Sequence, residues 1–296
     1  MSTNAAVIRR FDRAQILRAA TSIGILGGGA SGAPRIMAAI CKPDVTAMVI
    51  SGLLAKEPAL YARVLRVANS PYYGQSRSIT TVERALVLLG LSAVRGIAAA
   101  ACLDRTLARD RSQQWVDLKA LMHHSHATAV AAQMLAEVCR PTLAAEAFIA
   151  GLLHNLGVAV QIHLDAGGVK AMVELRRDGD ARGIRLLESE RAAVSHEECV
   201  AVVFETWQMP ASLIEAARHH HDPMQAPEAF RHLACLVNLG ATLGLAQGST
   251  HTLEPAPVIR NSAAMQFLGL TENQIDELAG EFPMRFAELS AALLDG

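Results

Sequence analysis

The chain has 296 residues, with 27 Lys/Arg against 28 Asp/Glu and a formal net charge of -1, which excludes a globally basic nucleic-acid binder and a strongly acidic solvating chain. Hydrophobic residues make up 51%, too many for a disordered polymer, and 53 alanines beside only 4% aromatics favour helix over sheet. Five scattered cysteines form no Cys-x-x-Cys pair, which suits reduced thiols in a cytoplasmic protein and argues against a disulfide scaffold or a zinc ribbon.

In chain order, residues 1–18 read as an N-terminal extension. Arg9, Arg10, Asp12 and Arg13 interrupt it, so no signal peptide is expected. The glycine-rich stretch Gly24–Gly32 lacks a Gly-Lys-Ser/Thr ending and reads as a linker rather than a phosphate loop. Asp44 is placed to cap a helix over Val45–Ala55. Pro58 suits the first turn of the next helix, with Leu60, Val64 and Val67 on one side. Thr80 and Glu83 have capping-box spacing before a helix that Gly90 can close. The most apolar stretch, Ala144–Leu164, carries Glu146, His154, Asn155, Gln161 and His163. That polarity predicts one buried core helix and no membrane span. Ser195 and Glu198 form a second capping box, and Pro210 opens a helix that Asp222-Pro223 ends. Ile275, Leu278, Phe282, Phe286 and Leu289 have the spacing of a helix that packs back on the bundle.

No period-two alternation is sustained, so the fold class is all-α: two helical lobes, over 19–110 and 111–240, then a C-terminal helical segment over 241–296. Residues 1–110 hold 14 basic and 6 acidic residues, and residues 111–296 hold 13 and 22. This split fits lobes that dock partly by charge, or an N-terminal surface for an acidic partner. Arg63, Arg66, Arg77, Arg84 and Arg95 read as a solvated helix face, with phosphate or acidic-surface recognition as the alternative.

Eleven histidines gather on four predicted helices: His123, His124 and His126; His154 and His163; His196; and His219, His220 and His221. His154 and Asn155 lie in the most apolar stretch, where an unpartnered imidazole or amide costs a few kcal/mol, roughly. The other histidine helices are the obvious source of partners. His196 follows an N-cap and is expected in a first helical turn, exposed or near the lobe junction. His219–His221 fall at a helix C-terminus, which favours a cation.

These residues and their flanks, from Glu57-Pro58 and Val64–Ser70 through Trp115, Ala150–Gly157, His196-Glu197-Glu198, Trp207–Pro210 and His220–Pro223, resemble the HDOD family. That family is a non-catalytic-looking relative of the HD metal phosphohydrolases, used as a signalling output module in bacteria. The resemblance covers residues 19–240. It implies that His124 and His154 take the two histidine places of the HD metal scheme. The aspartate of the His-Asp pair is here Asn155, and the late aspartate aligns with Asn238. A neutral amide bridges cations poorly where a carboxylate bridges them well, so no intact two-ion hydrolase centre, no catalytic residue and no obligatory cofactor are expected. His124 and His154 read as metal-site remnants engaged in hydrogen bonding. A single softer divalent ion such as zinc or nickel, held by histidines alone, stays compatible.

The degenerate cleft then comprises His124, His154, Asn155, His196, His220, His221 and Asn238. The implied function is a regulatory module acting through a protein partner in a signalling pathway, gated by a nucleotide, second messenger or other small ligand in that cleft. The alternative is a metal-dependent phosphohydrolase acting on a nucleotide or phosphodiester. Cyclic-dinucleotide hydrolysis of the HD-GYP type is disfavoured: Leu156–Ala159 supplies no lysine, and no Gly-Tyr-Pro occurs. Neither direct DNA binding nor membrane association is expected.

Overall fold

The computed structural model describes residues 11–22, 36, 39, 40, 42, 44–74, 78–107, 116–178, 180, 182, 184–249 and 262–294. The glycine-rich stretch Gly24–Gly32, Arg77 and Trp115 lie outside these residues. Every regular element among the described residues is helical. The helices are α1 (Arg13–Ser22), α2 (Ala47–Leu54), α3 (Pro58–Ala68), α4 (Val82–Leu107), α5 (Leu118–Cys139), α6 (Ala144–Leu153), α7 (Leu156–Leu164), α8 (Ala166–Arg177), α9 (Ile184–Arg191), α10 (His196–Thr206), α11 (Ala211–Arg218), α12 (Arg231–Ala246), α13 (Ala263–Leu268) and α14 (Glu272–Leu294).

Local chemistry sets most boundaries, with corrections at two caps. Thr46, not Asp44, caps α2 by accepting from the Val49 N–H. Thr81, not Thr80, accepts from the Arg84 N–H at the start of α4, while Glu83 accepts from the Ser51 hydroxyl. Pro58 stands at the first turn of α3, and Leu60, Val64 and Val67 are buried along it. Gly90 interrupts α4 with φ 82°, a left-handed conformation that glycine adopts without steric cost. Ser195 caps α10 through the Glu198 N–H.

The stretch expected as one helix over Ala144–Leu164 is two. Asn155, at φ −96° and ψ 8°, separates α6 from α7 and places His154 at the junction. By length and composition the segments Pro141–Leu164 and Glu228–Ala246 could each cross a membrane; 78% of the apolar window of the first and 50% of that of the second is buried inside the bundle.

Helix α5 is the hub. It packs chiefly on α6 and α12, because Gly151 and Gly240 bring those helices against its backbone at Thr128 and Ala132. One hydrophobic cluster runs from Ile16 on α1 to Leu289 on α14 and includes Val64, Ile97, Leu135, Leu152, Phe204 and Leu236. Ile275, Leu278 and Phe282 of α14 join it, as their spacing predicts. A smaller cluster around Leu121, Ile162, Met172 and Leu187 ties α7, α8 and α9 to the start of α5.

Candidate functional site: a buried histidine cluster

Five imidazoles from α5, α10 and the segments that end α6 and α11 meet inside the second lobe. His124, His154, His196 and His220 are each at most 1% exposed, and His221 is partly buried. The ring of His154 stands edge-on to His124 at 5.4 Å and to His220 at 4.8 Å between centroids. His196 lies 5.1 Å from His220 and 5.0 Å from His221. His196 is therefore not exposed. It is central, because Gly157 lets α7 and α10 touch. A Cβ on Gly157 would stand 1.9 Å from the His196 carbonyl oxygen, a contact no side chain tolerates.

Hydrogen bonds fix the rings. The Nδ1 of His124 lies 3.1 Å from the Ser249 carbonyl, that of His154 2.6 Å from the Gly151 carbonyl and that of His220 2.7 Å from the Ala217 carbonyl. A carbonyl only accepts, so each Nδ1 is a protonated donor. His196 Nδ1 lies 2.7 Å from Glu188 Oε1, which also accepts from the His196 backbone N–H and from Gln161 Nε2. His123 reaches the Ser249 hydroxyl at 2.8 Å, so neighbouring histidines of α5 converge on one residue.

Electrostatics keeps most of these rings neutral. Burial pushes His124 down to about 4. Burial, reinforced by the adjoining imidazoles, holds His154 and His220 well below the usual histidine value. Burial also pushes Glu188 up, but its contacts with His196 and Gln161 outweigh that and leave the carboxyl below its ordinary value. Glu197 goes the other way: desolvation raises it despite Arg185 at 3.4 Å.

The structure brings every residue of the expected cleft into or beside this cluster, with different roles. Asn238 donates from Nδ2 to the His220 carbonyl at 2.7 Å and so braces the turn that carries His220 and His221. Asn155 is 2% exposed, and neither polar atom of its side-chain amide has a hydrogen-bond partner among the described residues. The expectation that the other histidine helices supply partners for His154 and Asn155 is corrected: the ring of His154 bonds the Gly151 carbonyl of its own helix and meets His124 and His220 only edge-on, and no such bond reaches the Asn155 amide. His163 stands apart, bonded to Ser22, and His232 packs near Arg140 and Phe267.

Glu188, Gln161 and Glu197 are not among the cleft residues expected from the sequence. One signal was available. Glu188 follows Ile184 by four residues and Leu187 by one, which puts it on the buried face of α9. A cavity of about 620 Å3 lined by Phe11, Arg185, Glu188, Ser195, Glu197 and Glu198 adjoins these acids.

The two-ion centre of the HD scheme does not fit this donor set. By the resemblance Asn155 and Asn238 take the places of its carboxylates, and Asn238 uses its amide N–H on the His220 carbonyl, which an ionised carboxylate cannot do. No reaction step through such a centre follows from this site.

An all-helical bundle with buried histidines at its helix junctions defines the class of HD-like proteins. The chain matches the HDOD domain over residues 30–223, and it belongs to the HDOD family. It is similar to the crystal structure of an HDOD domain protein of unknown function from Geobacter sulfurreducens, with a TM-score of 0.73, 20% identity and coverage of 95% of this chain and 98% of that one. It is also similar to a protein from Shewanella amazonensis SB2B named "Putative phosphohydrolase", with a TM-score of 0.69, 22% identity and coverage of 95% and 98%. At such identities the likeness shows the fold. A curated relative, an uncharacterized protein of Treponema pallidum (strain Nichols), is 27% identical over 205 residues, 68% of this chain; the match spans 39% of the relative's length.

Proposed function

We propose that this chain is a non-catalytic regulatory module that acts through a protein partner in a signalling pathway, with the buried histidine cluster as the seat of its control. One observation carries the reading: the acids are already engaged. The buried carboxylates among the described residues are Glu188 and Glu197. Glu188 Oε1 takes three donors. Glu197 pairs with Arg185 and receives the His221 N–H. Each acid is thus tied into the fold by donors, although Glu188 Oε2 is buried without a hydrogen-bond partner among the described residues; the two do not form a free carboxylate pair of the kind that bridges two cations. The cavity beside them is lined by three glutamates and one arginine, which favours a cationic or hydrogen-donating ligand over a free nucleotide.

A metal-dependent phosphohydrolase is the second reading, and the convergence of His196, His220 and His221 is what favours it. The full chain, loaded in turn with magnesium, manganese and zinc, is assayed against a panel of phosphodiesters and nucleotides, and in parallel is cross-linked in bacterial extract. The regulatory reading expects no turnover above buffer and a specific cross-linked protein. Metal-dependent turnover abolished by His196→Ala overturns it.

A further inference from the structure

We propose that His196, His220 and His221 form a binding site for a single transition-metal ion of the zinc class. The site goes beyond the regulatory reading and stands whether or not that reading survives.

His220 donates from Nδ1 to a carbonyl, and His196 donates from Nδ1 to a carboxylate. In a neutral imidazole that fixes the tautomer: the other nitrogen, Nε2, carries a lone pair and no hydrogen. Yet the Nε2 atoms of His196 and His220 are 3.2 Å apart, and His221 Nε2 is 3.1 Å from the same His196 nitrogen. At that separation the lone pairs of His196 and His220 repel unless a proton or a metal cation lies between them, and a cation at that point also accounts for the approach of His221. One ring nitrogen from each of the three residues lies within 4.8 Å of the others. Nitrogens bound tetrahedrally to zinc at about 2.0–2.1 Å are separated by about 3.3–3.4 Å, close to the two distances found.

The surroundings are those of a metal site and not only of a hydrogen-bonded core. A carboxylate behind the distal nitrogen of a ligating histidine fixes its tautomer and raises its basicity, and Glu188 occupies that position behind His196. Asn238 holds the backbone of His220. The donors are all imidazole, which selects zinc, nickel or copper and discriminates against magnesium and calcium. Three protein donors leave a fourth tetrahedral position open.

The test uses the full chain purified without chelator. Elemental analysis is expected to find a single zinc-class ion per chain. After stripping, titration with cobalt(II) is expected to give visible bands of imidazole-bound cobalt that saturate at one equivalent. His221→Ala, at the partly buried member, removes stoichiometric binding while the far-ultraviolet circular dichroism stays helical. Glu188→Gln, which retains an acceptor for His196, weakens binding by about 10–100-fold. His232→Ala binds as the parent does. The proposal is overturned if the protein is metal-free and cobalt keeps the spectrum of the hydrated ion, in which case a shared proton joins the rings. It is overturned equally if His221→Ala retains the ion with unchanged affinity. Metal content is read apart from turnover, so failure here leaves the regulatory reading to its own assay.

Discussion

The helices from Ala47 to Leu107 and those from Leu118 to Ala246 bury their surfaces in different ways. Among the described residues, the buried polar side chain of the first group is Ser70, which bonds its own helix at the Val67 carbonyl. The second group buries His124, Ser125, His126, Thr128, His154, Asn155, Gln161, Glu188, His196, Glu197 and His220. Apolar burial alone holds a helical lobe together at about 25 cal/mol per Å2, and each added polar group must find a partner or destabilise the fold. A region that keeps so many polar groups in its interior does so against the cost of burying them, and that contrast is the reason the proposed function is seated among the helices from Leu118 to Ala246.

That contrast breaks most sharply at Gly157. The expected outcome of Gly157→Ala is a loss of about 3 kcal/mol or more in urea unfolding, because its Cβ would collide with the His196 carbonyl and the Val200 backbone nitrogen rather than with a movable side chain. An unchanged midpoint would show that α7 and α10 can separate without harm to the cluster.

Acid is the next probe. His124 titrates near 6.5 when unfolded and at about 4 when folded. Across that window the unfolded chain binds more protons, so stability is greatest above pH 6.5 and falls as the pH drops toward 4. His124 contributes about 2 kcal/mol of loss between pH 7 and pH 5, and His154 and His220 act in the same direction. Thermal melts over that range check it; melting temperatures flat from pH 7 to pH 5 would contradict neutral burial.

Asn155 sharpens the comparison from the opposite side. Replacing an unpartnered buried amide by an apolar group of similar size removes a desolvation penalty, so Asn155→Leu is expected to stabilise the chain by about 1 kcal/mol in the same urea assay. A loss of stability would mean that the amide makes a bond on which the native state depends.

The smallest effect belongs to the surface. Arg185 is half exposed and spans Glu197 and Asp222. Arg185→Ala is expected to change stability by less than about 1 kcal/mol, as read by denaturant midpoint. Chemistry at Cys235 gives an independent check on burial: its thiol is pushed up to about 12 by desolvation, so alkylation at pH 8 should proceed only as fast as the chain unfolds.

Much of this fold was legible in the sequence, because helix punctuation is local. Pro58, Gly90, Ser195 and Pro210 act within a turn of themselves. The caps at Thr46 and Thr81 were misplaced by one or two residues because neighbouring polar side chains compete for the same N–H groups. The break at Asn155 was missed because the flanking sequence is apolar on both sides, so composition gives no boundary. At the site, the histidines were visible by number and grouping. The centrality of His196 was not, since it depends on a backbone contact at Gly157, 39 residues away. Glu188 was hidden for a similar reason: only the register of α9 distinguishes it from the neighbouring Glu190, which pairs with Arg182 at the surface.

The most direct test of the account is anomalous diffraction from crystals of the full chain grown with manganese and zinc at saturation. The account predicts one peak, among the imidazoles of His196, His220 and His221, and none beside Asn155 and Asn238. Two peaks about 3.5–4 Å apart, as in a two-ion hydrolase, would contradict it.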